Sequence, residues 1–229
     1  MTPPREALID LPELHNPKVV VVGYAGRDLA SVQHHIDELA AIGVAPPPEV
    51  PMLYPMPQET LERSAAIEVQ GRGTSGEVEP VLVRAGSRWY LTIGSDHTDR
   101  DLEVQDILLS KQVCGKPIAS QAIALDGDPT DGAADALWDS AHMDSWVDGV
   151  PYQSGPLSTL RHPSDLIERV TAANDTTGDL VIFGGTVPLI DGTFRPGQVF
   201  TATLAVPGVD SLHLAYTTTV SKEETDEQA

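Results

Sequence analysis

The apolar positions of this chain fall into short β-branched runs and two stretches of helical repeat. Lys18–Gly23 (KVVVVG) is apolar without alternation, which predicts a strand covered on both faces. Leu29, Val32, Ile36, Leu39 and Ala40 recur at three- and four-residue spacing and predict a helix from Asp28 to Gly43. Asp28 is its expected N-cap and Gly43 its expected stop, and the prolines at 46–48 forbid continuation.

Further strands are predicted at Val50–Tyr54 and Ala66–Gln70, with a short helix near Gln58–Glu62 between them. Glu77–Val83 and Trp89–Ile93 read as a pair joined across an Ala-Gly-Ser turn. Residues 124–137 (ALDGDPTDGAADAL) are acidic and turn-rich, and predict a surface loop. A short extended piece at Ser145–Val147 and a second helix over Pro163–Ala173 come next. Strands at Leu180–Phe183, Val199–Leu204 and Ser211–Thr218 complete the prediction.

Composition sharpens this outline. The chain has 229 residues, with 19 prolines and 19 glycines, more turn-forming residues than a helical bundle tolerates. The prediction is a single α+β domain, mostly β, over residues 18–220. A flexible N-terminal arm is expected over 1–17 and a disordered acidic tail over 221–229.

Charge excludes some partners. With 14 basic and 34 acidic side chains the net charge is −20, which repels nucleic acid and anionic membrane surfaces. An anionic substrate therefore needs a local cation. The single cysteine, Cys114, forbids an internal disulfide and fits a reducing compartment. The opening MTPPREALIDLPEL has no basic region followed by an apolar stretch, so no signal peptide is expected. The prediction is a soluble cytoplasmic protein.

Chemistry concentrates after residue 75. On a strand, Glu77 and Glu79 point to one face with Cβ atoms about 6–7 Å apart. Two converging carboxylates repel unless a cation lies between them, and hard divalent ions favour such oxygen ligands. Solvated glutamates on an edge strand show the same spacing. Asp96 stands at the end of the next strand, in Gly94-Ser-Asp-His-Thr-Asp-Arg-Asp101, and Lys116 follows twenty residues later. His97, as the direct neighbour of Asp96 in an extended segment, is expected to point away from it.

These segments together resemble the fumarylacetoacetase superfamily. The family carries a Glu-x-Glu pair, then an Asp within Asn-Asp-x-Ser/Thr-x-Arg-Asp, then Gly-Lys about twenty residues on. Here the matching residues are Glu77 and Glu79, then Asp96-x-Thr98-x-Arg100-Asp101, then Gly115-Lys116. Val19–Gly23 and the helix with His35-x-x-Glu38 look like the family's opening strand and mobile lid. Leu180–Thr186 looks like its Leu-Thr-Gly-Thr stretch. The resemblance runs from about residue 18 to 218 and is closest to a bacterial branch catalogued as a domain of unknown function. Ser95 stands where the family has Asn, Glu103 where it often has Gln, and Pro117-Ile118 where it has Ser-Phe. The lid is the loosest match, and His34 is the alternative to His35.

The resemblance implies a mixed β-sandwich or roll with a few peripheral helices, commonly dimeric. It implies Mg²⁺ or Mn²⁺ on Glu77, Glu79 and Asp96, a small anionic oxo-acid substrate, and Lys116 on the developing oxyanion. It also implies His35, held by Glu38, as the base that activates water. Thr186 would face the substrate. Arg100 either holds a substrate carboxylate or braces Asp101 or Asp99. The implied reaction is hydrolysis of a C–C bond in an acylpyruvate-like or 1,3-dicarbonyl substrate. A 2-oxo acid decarboxylase, isomerase or hydratase would use the same site, and a non-catalytic binding protein would keep only the fold.

Overall fold

The computed structural model describes residues 7–41, 46–173 and 177–221, leaving aside the side chains of residues 35, 38, 39 and 41. The first part of the chain holds β1 (Ile9–Asp10), β2 (Lys18–Gly23), α1 (Leu29–Ala41), β3 (Met52–Met56), β4 (Leu61–Glu62), β5 (Ala66–Val69) and β6 (Thr74–Ser75). The middle holds β7 (Val78–Ala85), β8 (Arg88–Ser95), β9 (Thr98–Asp99), α2 (Arg100–Glu103), α3 (Ile107–Gln112), β10 (Lys116–Pro117) and β11 (Gln121–Ala124). The last part holds α4 (Asp135–Ser140), β12 (His142–Val147), β13 (Val150–Pro156), α5 (Pro163–Ala173), β14 (Leu180–Phe183), β15 (Val199–Ala205) and β16 (Leu212–Val220).

Among the described residues these strands form two main sheets. One has seven strands in the order β1-β11-β8-β7-β14-β2-β3, and the other five in the order β13-β12-β15-β16-β5. The seven-stranded sheet is mixed: β14 runs parallel to β2 and antiparallel to β7. Strands β2, β7 and β14 are central, so both of their faces are covered, which explains why VVVV and LVIF carry no polar alternation. One face packs Val20, Leu82, Leu91 and Ile182 against Met143, Leu204, Leu212 and Leu214 of the second sheet. The other face packs Val19, Val81, Val181 and Phe183 against Tyr54 and the partly buried Ile107 and Leu108 of α3. Each buried Val or Leu contributes about 1.5–3 kcal/mol.

The fold is thus predominantly β, as the sequence predicts, but several elements differ. Within the stretch read as an arm, Ile9–Asp10 pairs with β11 and Leu11 is buried. The acidic loop read over 124–137 leads into helix α4, whose Trp138 is fully buried. The short piece at Ser145–Val147 is the end of the longer strand β12, and its partner β13 begins Val-Pro, which hides its strand character. The predicted helix stop at Gly43 and the tail 222–229 lie outside the described residues. Among the described residues no helix is long and apolar enough to cross a membrane.

Candidate active site

Strand ends deliver the site. The hairpin β7–β8 turns at Gly86-Ser87, with Ala85 opposite Arg88, and its open end brings Val78 opposite Ser95. Just beyond that end, the Asp96 N–H donates to the Glu77 carbonyl at 3.0 Å, so the two acidic segments leave the sheet side by side. Glu77, Glu79 and Asp96 all line one cavity of about 690 Å³. Glu103, Lys111 and Thr186 line the same cavity.

Three cations already hold two of these carboxylates. The Lys111 ammonium donates to Asp96 Oδ2 at 2.5 Å, and Lys116 Nζ lies 3.2 Å from Asp96 Oδ1. Arg100 pairs with Glu77 Oε2 at 3.0 Å through Nη2, with Glu103 Oε2 at 2.8 Å through Nη1, and donates to Ser75 Oγ through Nε. Its guanidinium lies under the Phe194 ring, 3.6 Å from the ring centre. Of the two roles left open for Arg100, bracing is therefore the one seen, but its partners are Glu77 and Glu103 rather than Asp101 or Asp99. Asp99 instead caps α2 by accepting from the backbone N–H groups of Asp101 and Leu102.

The electrostatics follow from burial and these partners. Burial alone would raise Asp96, but Lys111 and Lys116 outweigh it and hold the carboxyl down at about 2. Burial, and then the neighbouring Asp96, push Glu79 well above the ordinary carboxylate range. One of its oxygens, Oε2, accepts from the Gly185 N–H at 2.9 Å. Gly185 is required there: its φ is +96°, and a Cβ would stand 2.5 Å from the Ala25 Cβ.

Lys116, expected to touch the substrate, is 0% exposed and does not line the cavity. Its Nζ donates to the carbonyls of His97 (2.5 Å), Lys111 and Cys114, so it anchors Asp96 from behind. Thr186 does line the cavity, yet its hydroxyl donates to the Val78 carbonyl at 2.9 Å and accepts from Gln153 Nε2 at 2.6 Å. His97 points away from the cavity as expected. Its ring nitrogens bond Tyr216 OH and Thr74 Oγ1, both at 2.9 Å, and burial holds its pKa down at about 3. His35 and Glu38 stand in α1, but their side chains lie outside the described residues.

Two further residues belong to the site, Lys111 and Gln153. Lys111 sits in the six-residue helix α3, Ile-Leu-Leu-Ser-Lys-Gln, a stretch that the hydrophobic pattern assigns to no element. Its four-residue spacing from the inward-facing Ile107 was the available signal. Gln153 is fully committed: Oε1 accepts from the Val78 N–H and Ser145 Oγ, while Nε2 donates to Thr186 Oγ1 and the Val187 carbonyl. It ties the start of β7 to the loop after β14.

The three carboxylates fit a hard divalent cation in donor type, since all are oxygen ligands, and buried Asp96 Oδ1 accepts no hydrogen bond, with the Lys116 ammonium 3.2 Å away as its ion-pair partner. As they stand, no three acidic, His or Cys side chains among the described residues already close around one point. Arg100 and Lys111 hold Glu77 and Asp96 in cation pairs instead.

Comparison with solved structures shows this architecture to be that of the fumarylacetoacetate hydrolase and isomerase proteins. A 5-carboxymethyl-2-hydroxymuconate delta-isomerase from Mycobacterium smegmatis aligns with a TM-score of 0.62 at 20% identity, covering 93% of this chain and 82% of that one. A candidate fumarylacetoacetate isomerase/hydrolase from Oleispira antarctica aligns at 0.65 and 17% identity, over 91% and 100%. A candidate fumarylpyruvate hydrolase from Burkholderia cenocepacia aligns at 0.62 and 19% identity, over 96% of each. At these identities the likeness is one of fold. The chain itself belongs to the family described as protein of unknown function (DUF2848), whose model matches residues 22–216. No curated protein matches it.

Proposed function

We propose that this protein is a divalent-metal-dependent hydrolase that cleaves a C–C bond in an acylpyruvate-like or 1,3-dicarbonyl/2-oxo acid substrate. The observation that carries this reading is the meeting of Glu77, Glu79 and Asp96 in one cavity that also receives the Lys111 ammonium. In this reading the three carboxylates hold Mg²⁺ or Mn²⁺. A divalent ion held there would supply Lewis acidity toward a substrate carbonyl and the negative charge that develops on it.

The chain's own groups complete the account. Lys111 faces the cavity and hydrogen-bonds an anionic substrate oxygen. Lys116 is a positioning residue that fixes Asp96, and Arg100 fixes Glu77. Thr186, bonded to the Val78 carbonyl, shapes the cavity wall beside the substrate. His35, three residues before Glu38 on α1, is the residue assigned to activate water. The homodimer that the resemblance implies and the cytoplasmic location expected from the sequence belong to the same proposal.

The isomerase among the structural neighbours favours one second reading, a decarboxylase, isomerase or hydratase of a 2-oxo acid. The two differ in whether water cleaves a carbon chain. Incubation of the Mg²⁺-supplied protein with a panel of acylpyruvates tests this. The hydrolase reading expects pyruvate plus a free carboxylic acid, lost with EDTA or in Glu77→Ala. Isomerised or decarboxylated products select the second reading. Turnover untouched by EDTA and by Glu77→Ala contradicts both.

A further inference from the structure

The charges around the cavity are unevenly distributed. Glu77, Glu79, Asp96, Glu103 and Lys111 all come from the open end of the β7–β8 hairpin and from α2 and α3. The remaining wall, from the end of β2, α1 and the segment before α5, is dominated by Val21, Val22, Ala25, Val32 and Leu160. The two charged residues on this wall are already committed. Arg27 pairs with Asp139 Oδ1 at 2.7 Å and donates to the Leu160 carbonyl at 3.0 Å. Asp28 caps α1, accepting from Ala30 N, Ser31 N and Ser31 Oγ. A second substrate carboxylate on this wall would thus meet hydrocarbon, the hydroxyl-bearing Tyr24, Ser31, Ser158 and Thr159, and no unpaired cation among the described residues.

Resting on the site reading above, we propose that the substrate is a monoanionic 2-oxo acid whose far end is an uncharged hydrocarbon chain, not a dicarboxylate. The carboxylate and oxo group face the charged end, and the chain lies along Val22, Val32 and Leu160. A cavity of about 690 Å³ is large for an oxo-acid head alone and accommodates such a tail.

Equilibrium dialysis of the Mg²⁺-supplied protein against oxalate, 2,4-dioxodecanoate and the equally long 2,4-dioxodecanedioate tests the proposal. Each methylene buried in an apolar site tightens binding by about fourfold, so the monoacid is expected to bind at least about tenfold tighter than oxalate or the diacid. Ser31→Lys places an ammonium on the apolar wall outside the proposed catalytic groups. It is expected to tighten the diacid by about tenfold and to leave oxalate unchanged. Oxalate binding together with a diacid as tight as the monoacid overturns the tail assignment while the site reading stands. A diacid affinity unmoved by Ser31→Lys likewise overturns it. Failure of all three probes to bind removes the site reading, and the proposal with it.

Discussion

Lys111 Nζ lies 2.5 Å from Asp96 Oδ2, and both groups are almost wholly buried. A buried ammonium at that distance does for Asp96 what a metal ion would do, neutralising a carboxylate that burial otherwise penalises. The site is therefore electrostatically complete enough to fold without a metal.

Lys111→Met tests that role. It leaves Asp96 with Lys116 as its remaining cation partner and should destabilise the metal-free protein by about 2–4 kcal/mol, read as a lower urea midpoint. Addition of Mn²⁺ should recover part of the loss, because a metal ion and Lys111 serve the same carboxylate. A variant as stable as the parent in chelator would contradict the assignment.

Glu79→Gln should act in the opposite direction. Burial and Asp96 raise the Glu79 pKa in the folded state, so its contribution is fully present below the unfolded carboxylate pKa of about 4.3 and is lost as pH rises toward the folded value. At neutral pH burying this carboxyl opposes folding, whether it stays charged or takes up a proton. The neutral amide is expected to raise the melting temperature of the metal-free protein at pH 7 and to abolish stabilisation by Mg²⁺. Thermal scans with and without EDTA check both parts.

His97 gives the chain an acid-sensitive point away from the cavity. Its pKa is about 3 when folded, against about 6.5 when unfolded, so between those values the unfolded state binds a proton that the native state refuses. Stability should fall by about 1.4 kcal/mol per pH unit from roughly pH 6 to pH 4 through this group. Urea midpoints across that range should show a shallower slope in His97→Gln. An identical slope would count against the buried neutral imidazole.

Gln153→Leu removes a side chain that serves four partners across β7, β12 and the loop after β14. The Val78 N–H and Val187 carbonyl lose their Gln153 partner in a buried setting, at a cost of about 2–4 kcal/mol. Because Val78 lies between Glu77 and Glu79, Mn²⁺ affinity should weaken as well. Binding unchanged despite lost stability would show that the clamp serves folding alone.

Much of this was readable in the sequence, because its signals are local. Runs without alternation marked the doubly covered strands β2 and β14. The two-residue strand period placed Glu77 and Glu79 together, and the same alternation turned His97 away from Asp96. Partnership between distant segments was not readable. Lys111 belongs to a one-and-a-half-turn helix whose direction depends on how α3 packs on Tyr54 and β3. Arg100 finds Glu77 only because Thr74-Ser75 pairs with Thr98-Asp99. A fully buried lysine such as Lys116 looks, in sequence, like any solvated one, and the carbonyls that accept from it are set by the chain's path rather than by residue type.

Whether Glu77, Glu79 and Asp96 form a divalent-metal site is read by equilibrium binding of Mn²⁺, followed by its electron paramagnetic resonance signal, to the parent and to Glu79→Ala. One saturable, EDTA-reversible ion per chain is expected in the parent and at least about a hundredfold weaker binding in the variant, a difference of about 2.7 kcal/mol. Equal binding by the two proteins, or none by either with both folded, would contradict such a site.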